Sequence, residues 1–251
     1  MADSFRARLR AGDLLVGPMI TLSSPEVAEL MSELGCDWLF IDAEHTPMGP
    51  PEIQQIVRAA GSTPAVIRLA SGEPTMIGKT LDTGAAGIIV AQVNSAEQAR
   101  EIVDAARYAP AGKRGRGLAR AHHYGLQMAE YSARANETVA VIVQAEHRDA
   151  VKEIRNIVKV EGLDGVLIGP YDLASSLGRT GEVDHPEVRA AIDAVRAACL
   201  EAKMPVGILG LTAEGLTPYI DQGFTLIIAG VDVLLLGESF RTLLRGVRRS
   251  S

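Results

Sequence analysis

From Trp38 to Ile41 the chain is continuously apolar, and the run breaks abruptly into Asp42, Glu44 and His45. A strand covered on both faces reads this way, because a parallel sheet sandwiched by helices has no solvent side to alternate toward. The pattern recurs at 64–69 (PAVIRL), 140–147 (AVIVQAEH) and 165–172 (GVLIGPYD), and each run meets a residue able to do chemistry: Arg68, Glu146 or Asp172.

The spacing predicts strands at 14–21, from Asp37 onward, and at 64–69, 87–93, 138–145, 165–168, 205–209 and 225–229. Helices are expected from Pro25, behind a Ser24 cap, to Gly35, at 50–60 and 74–82, and after the Asn94-Ser95 cap signal to Arg107. Further helices are expected at 149–158, from His185-Pro186, at 213–222 and at 234–247. Residues 108–137 form a long insert with the loop APAGKRGRG and a helix near 127–136; inserts of this length are usually functional or carry their own small element. Eight alternations of strand and helix predict an α/β TIM (β/α)8 barrel, one domain across residues 1–251. A doubly wound open sheet is the alternative, but no GxGxxG turn follows the first strand.

Composition narrows the function. Apolar residues make up 47% and aromatics only 4%, so the core is built from Val, Ile, Leu and Ala. A formal net charge of −6 argues against nucleic acid as a partner, since neutralising phosphate requires a basic face. The first thirteen residues, MADSFRARLRAGD, lack the apolar core of a signal peptide, and no run reaches the roughly 20 apolar residues of a membrane span. A cytoplasmic protein with small-molecule substrates is therefore expected. Cys36 and Cys199 lack metal-type spacing and read as small packing residues.

In a barrel of this kind the C-terminal strand ends share one face, so Glu146 and Asp172, just past adjacent strands five and six, can point at a single ion. Such a site offers hard oxygen donors only, which suits Mg²⁺ or Mn²⁺, Co²⁺ being compatible, with water and substrate completing the shell. Paired acids read equally as helix caps. His45, three residues after Asp42 at a strand end, is a candidate base, or a histidine that is merely hydrogen-bonded. Arg68 must meet a carboxylate, either a ligand's or that of Asp42 or Glu44.

The segments DWLFIDAEH, VIVQAEHRDAV, VEGLDGVLIGPYDLASSLG and APAGKRGRG, spread over nearly the whole chain, resemble the HpcH/HpaI aldolase and citrate lyase family, specifically its metal-dependent (class II) 2-oxo-acid aldolases. The resemblance implies a TIM barrel, a homo-oligomer that is usually hexameric, and reversible cleavage of a 4-hydroxy-2-oxo acid to pyruvate and an aldehyde. It implies Glu146 and Asp172 as metal ligands, His45 as base and Arg68 on the pyruvyl oxygens. Gln144, Leu209 and the Gly169-Pro170-Tyr171-Asp172 turn would line the substrate site. Asp42 and Asp82 would orient the histidine, Asp82 by reaching a neighbouring subunit. The chain departs from the family where Ala145 and His147 flank Glu146 in place of Ile and Thr, and where Tyr171 replaces a small alanine and narrows the site.

The chemistry fits these residues on its own terms. Cleavage between C3 and C4 leaves a pyruvate enolate, which a divalent ion and Arg68 would stabilise while His45, directly or through a water, takes the 4-hydroxyl proton. An imine mechanism needs a lysine at a strand end, and Lys79, Lys113, Lys152, Lys159 and Lys203 all lie outside the apolar strands. Succinic semialdehyde, a tartronate-type semialdehyde and simpler hydroxyaldehydes are all compatible.

Competing readings are a phosphosugar or phosphoenolpyruvate enzyme binding phosphate at Lys113-Arg114-Gly115-Arg116-Gly117, a CoA-thioester lyase, and a non-catalytic metal-binding barrel. The basic loop reads better as a solvated lid or intersubunit contact, and the His122-His123 pair as surface residues. The last helix either covers the barrel or packs on another subunit.

Overall fold

Apolar strands alternating with proline-opened helices close into a ring. The computed structural model describes residues 4–249. Its strands are β1 (Leu15–Ile20), β2 (Leu39–Asp42), β3 (Ala65–Leu69), β4 (Gly87–Val90), β5 (Ala140–Ala145), β6 (Gly165–Ile168), β7 (Val206–Gly210) and β8 (Leu226–Val231). They pair in parallel in sequence order, and β8 returns to β1 to close the barrel. The predicted (β/α)8 fold is therefore the observed one.

The helices are α1 (Phe5–Ala11), α2 (Pro25–Glu33), α3 (Pro50–Ala59), α4 (Pro74–Asp82), α5 (Ala96–Ala106), α6 (Met128–Thr138), α7 (Arg148–Ile157), α8 (Pro170–Ser176), α9 (Pro186–Glu201), α10 (Ala213–Asp221) and α11 (Asp232–Arg249). Proline opens α2, α3, α4, α8 and α9, where its fixed φ suits a first turn whose N–H has no helical partner. The predicted caps act as such, Ser24 accepting from the Val27 N–H at 3.3 Å and Ser95 from Gln98 at 3.2 Å; His185, expected only as a helix start, also caps its helix by accepting from the Glu187 N–H at 3.2 Å.

Both faces of every strand are buried, but they face different cores. Trp38, Phe40, Val66, Ile89, Ile142, Leu167, Leu226 and Ile228 fill the barrel axis, while Leu39, Ile41, Ile67, Ile88, Val141, Val143 and Ile168 pack outward under the helices. This two-residue phase decides which side chains reach the mouth of the barrel. Continuing the inward series from Trp38 and Phe40 reaches Asp42; from Val66 it reaches Arg68; from Ile142 it reaches Gln144 and Glu146.

Three elements differ from expectation. No element was expected at the N-terminus, yet α1 closes the end of the barrel where the strands begin, with Phe5 and Leu9 buried and the Phe5 ring 5.6 Å from that of Trp38. The turn after β6 is itself a short helix, so Asp172 lies within the first turn of α8. Finally, α11 does not cover the barrel: Asp232 is buried, but Leu234, Leu236, Phe240 and Leu243 are all more than half exposed. Asp232 anchors its start by accepting from Thr21 Oγ1 at 2.6 Å and from the Thr21 and Leu22 N–H groups at 2.9 Å each. Among the described residues no helix is long and apolar enough to cross a membrane.

The closed end is tied by charge. Arg6 Nε lies 2.7 Å from Asp164 Oδ1 and Arg107 Nη2 lies 2.9 Å from Asp164 Oδ2, and all three residues are buried. Burial pushes the Arg107 guanidinium down to about 10, against the pull of Asp164. Asp164→Ala would leave two buried cations without their carboxylate, and it should lower unfolding free energy by about 3–5 kcal/mol, read as a shifted urea midpoint at unchanged slope.

Candidate active site

Asp42 and Arg68 are register partners on β2 and β3, so the inward phase sets them side by side at the C-terminal mouth. Arg68 Nε donates to Asp42 Oδ1 at 2.9 Å and lies 3.2 Å from Glu44 Oε2, and its guanidinium sits 5.2 Å from the centre of the Phe40 ring. The side chain is only 10% exposed. Its terminal nitrogens make no hydrogen bond among the described residues, which leaves them available to a ligand.

The carboxylate of Asp42 also accepts from the backbone N–H groups of Glu44 at 3.1 Å and His45 at 3.4 Å. Here the structure corrects an expectation: Asp42 orients the loop that carries His45 and does not touch the imidazole. The ring, 64% exposed, has Glu44 as its carboxylate neighbour, with Nε2 3.7 Å from Glu44 Oε2, beyond hydrogen-bond range. Glu44 itself is pushed above the usual carboxylate range, by burial first and also by the nearby charges of Asp42 and Asp172, although Arg68 and His45 pull the other way.

Glu146 follows β5 and is 1% exposed. Its Oε1 accepts from the Gln92 backbone N–H at 2.8 Å, and its Oε2 from the amide of Gln144. Burial raises the Glu146 carboxyl to about 7; those two hydrogen bonds oppose the rise, and repulsion from Glu44 and Asp172 adds to it. Gly169 makes the contact with the next strand feasible, because a Cβ there would stand 2.5 Å from Glu146 Oε2 and 2.9 Å from Gln144 Nε2. Asp172, in the first turn of α8, is exposed at the mouth.

All seven residues expected on the substrate side, Arg68, Gln144, Gly169, Pro170, Tyr171, Asp172 and Leu209, line one cavity of about 70 Å³, with Met19, Phe40, Leu167 and Ile228 as apolar wall. No lysine lines it. Glu44 was expected as one of two possible carboxylate partners of Arg68, and Gln92 is the participant that sequence reasoning missed. Glu44 continues the inward phase two residues beyond Asp42, a signal present in the chain; Gln92 acts through its backbone, held at φ 56°, and no side-chain pattern announces it.

Other expected residues lie elsewhere. Asp82 ends α4, at the opposite end of the barrel from His45, and binds Arg114 Nη2 at 2.9 Å. Arg114 is buried, with its guanidinium 4.6 Å from the centre of the Tyr108 ring, so this part of the basic loop is neither a solvated lid nor free for phosphate. His122 corrects another expectation: it is 1% exposed, accepting from the Gly125 N–H at 3.0 Å and meeting Gly117 O at 2.7 Å, while His123 is exposed. The loop's own backbone supplies the partners that let His122 sit inside. His147 caps α7, accepting from the Asp149 N–H at 3.2 Å. Cys36 and Cys199 are free thiols.

Two observations fit a divalent cation between Glu146 and Asp172. The carboxylates of Glu44 and Asp172 raise the proton affinity of Glu146, and that of Asp172 raises the proton affinity of Glu44, as groups sharing a site short of positive charge do. Gln144 Oε1 is buried and has no hydrogen-bond partner among the described residues, so a donor or positive group is wanted there. Among those residues no group of three His, Cys, Asp or Glu is arranged to hold a metal; an ion on these two carboxylates would take its other positions from substrate and water.

Comparison with known proteins gives the chain its relatives. Residues 17–238 match the HpcH/HpaI aldolase/citrate lyase family. The chain is 39% identical over 247 residues, 97% of its length and 94% of the relative's, to the 4-hydroxy-2-oxo-heptane-1,7-dioate aldolase of Shigella sonnei (strain Ss046). It is 40% identical over 237 residues, 93% of each chain, to the hydroxypyruvate/pyruvate aldolase of Sagittula stellata. A crystal structure of an HpcH/HpaI aldolase/citrate lyase family protein from Burkholderia cenocepacia J2315 superposes with a TM-score of 0.93 at 34% identity, covering 97% of this chain and 98% of that one. With the family match across residues 17–238, relatives at 38–40% identity along nearly the whole chain and the shared fold, the chain belongs to the HpcH/HpaI aldolase/citrate lyase family.

Proposed function

We propose that this protein is a divalent-metal-dependent aldolase that reversibly cleaves a 4-hydroxy-2-oxo acid to pyruvate and an aldehyde. The observation that carries the reading is one small cavity lined by Arg68, Gln144, Gly169 and Asp172, with the Glu146 carboxylate held beside it against Gly169 and Gln144. Relatives named as aldolases support the reaction class.

Mg²⁺, Mn²⁺ or Co²⁺ held by Glu146 and Asp172 would act as the Lewis acid toward the 2-oxo acid, stabilising the charge that develops as the carbon–carbon bond breaks. Arg68, fixed from behind by Asp42 and Glu44, places positive charge at the 2-oxo oxygen where it needs no reorganisation. The backbone around Gly169 and Tyr171 receives the pyruvate carboxylate, and Gln144 lines the reacting end. His45, on the exposed side, accepts the 4-hydroxyl proton in cleavage and the pyruvate methyl proton in synthesis.

The working form is a homo-oligomer, a hexamer by family resemblance. The exposed leucines of α11 support assembly.

Pyruvate methyl protons should exchange with D₂O in the presence of Mg²⁺ or Mn²⁺ and stop exchanging after EDTA treatment, as followed by proton NMR. No exchange with either metal would remove the pyruvate assignment. Metal affinity should depend on pH: a cation binds only the ionised Glu146, so calorimetric titration with Mn²⁺ should show affinity falling about tenfold per unit as the pH drops below about 7. Gly169→Ala, whose new methyl group would displace Glu146 and Gln144, should cost about tenfold or more in Mn²⁺ affinity at unchanged circular dichroism.

A further inference from the structure

Granted the metal-dependent reading, on which this rests, we propose that a one-residue slip of the backbone at Gln92 positions Glu146 for a divalent cation, Gln92 being a positioning residue that acts through its N–H alone. Four non-glycine residues adopt a left-handed φ among the described residues. His123 and Tyr124 belong to the insert and Lys203 to the turn after α9, whereas Gln92, at φ 56°, stands just past a barrel strand. That conformation is costly for a residue with a Cβ, and it persists where the surrounding structure imposes it.

The strand register shows what the conformation achieves. At its end β4 sets Val90 opposite Leu69 of β3 and opposite Val143 of β5. The ladder runs on by one residue toward β3, where the Ala91 N–H donates to Leu69 O at 2.9 Å. Successive N–H groups of an extended strand turn to opposite neighbours, so the next, that of Gln92, is due at Gln144 O on β5. That carbonyl is taken instead by Val93, whose N–H reaches it at 3.3 Å. The Gln92 N–H is thereby released, and it donates to Glu146 Oε1 at 2.8 Å. An extra residue that re-aims its neighbours in this way has the form of a β-bulge. The slip also serves the second carboxylate oxygen: Gln144, held through its carbonyl by Val93, gives its side-chain amide to Glu146 Oε2. The Gln92 side chain takes no part. The residue is exposed, and its amide makes no hydrogen bond among the described residues. Any residue that accepts the left-handed conformation would therefore serve at this position, and one that refuses it would let Glu146 go.

The test measures Mn²⁺ affinity by calorimetry on the full-length, EDTA-treated protein, with urea unfolding recorded alongside. It compares wild type, Gln92→Gly, Gln92→Val and a variant in which Gln92 is replaced by its α-hydroxy acid, which exchanges that one N–H for an ester oxygen. Glycine keeps the N–H and accepts the conformation, so Gln92→Gly should bind Mn²⁺ as wild type does. The branched Cβ of valine opposes the conformation, and the ester removes the donor while keeping the side chain. Each should lower Mn²⁺ affinity about tenfold or more, the scale of losing a partner of a metal ligand. A merely structural role predicts shifted urea midpoints at unmoved affinity. Wild-type affinity in the ester variant would overturn the assignment, and that variant decides the matter alone if Gln92→Val does not fold. A loss in Gln92→Gly would also overturn it, because the side chain would then matter. The two levels separate in the wild type: Mn²⁺ binding that the ester leaves intact refutes the slip alone, whereas no Mn²⁺ binding refutes the metal site beneath it.

Discussion

A guanidinium that is nine-tenths withdrawn from water must be answered by carboxylates, and the answer given to Arg68 organises the mouth of this barrel. Asp42 holds Nε, and the same carboxylate gathers the backbone N–H groups of the loop that presents His45. Glu44 closes on Arg68 from the other side. One buried cation therefore fixes the aim of its own terminal nitrogens and the position of the residue opposite. Removing Asp42 would disturb both at once, a coupling of the kind expected wherever one acceptor serves several donors.

The charge balance does not stop at neutrality. With Glu146 and Asp172 added, the mouth holds more carboxylates than cations, and burial makes the excess felt as raised proton affinity at Glu44 and Glu146. A positive charge placed among these carboxylates would relieve that excess. The hydrogen bonds from Gln92 and Gln144 hold Glu146 in position while leaving it undercompensated. Preorganisation of this sort puts the cost of assembling the site into folding and removes it from binding.

Much of this was legible in the chain. The apolar runs and their polar ends located the strands and singled out Asp42, Arg68, Glu146 and Asp172, because a barrel brings strand ends together whatever their separation in sequence. The inward phase was harder to see, since strands buried on both faces hide their alternation in unbroken hydrophobicity; only the polar residues at the ends betray it. Helix α1 escaped notice because its apolar positions reduce to Phe5 and Leu9 among arginines, and the partner that buries Arg6 lies 158 residues away. His122 escaped because backbone groups, which every sequence possesses, supply its partners. The role of Asp42 was misjudged for a related reason: a carboxylate offers several lone pairs, and its type does not tell whether a ring or a backbone N–H will take them.

Helix α1 has one more consequence. By seating Phe5 and Leu9 on the axial core it helps to seal the end of the barrel where the strands begin, so the small cavity at the other end is approached from where the strands finish. Molecules that meet inside must use a single doorway. When one molecule is split there into two fragments, the fragment nearer the rim must depart before the one beneath it, so the architecture imposes a sequence on departure that no individual side chain encodes.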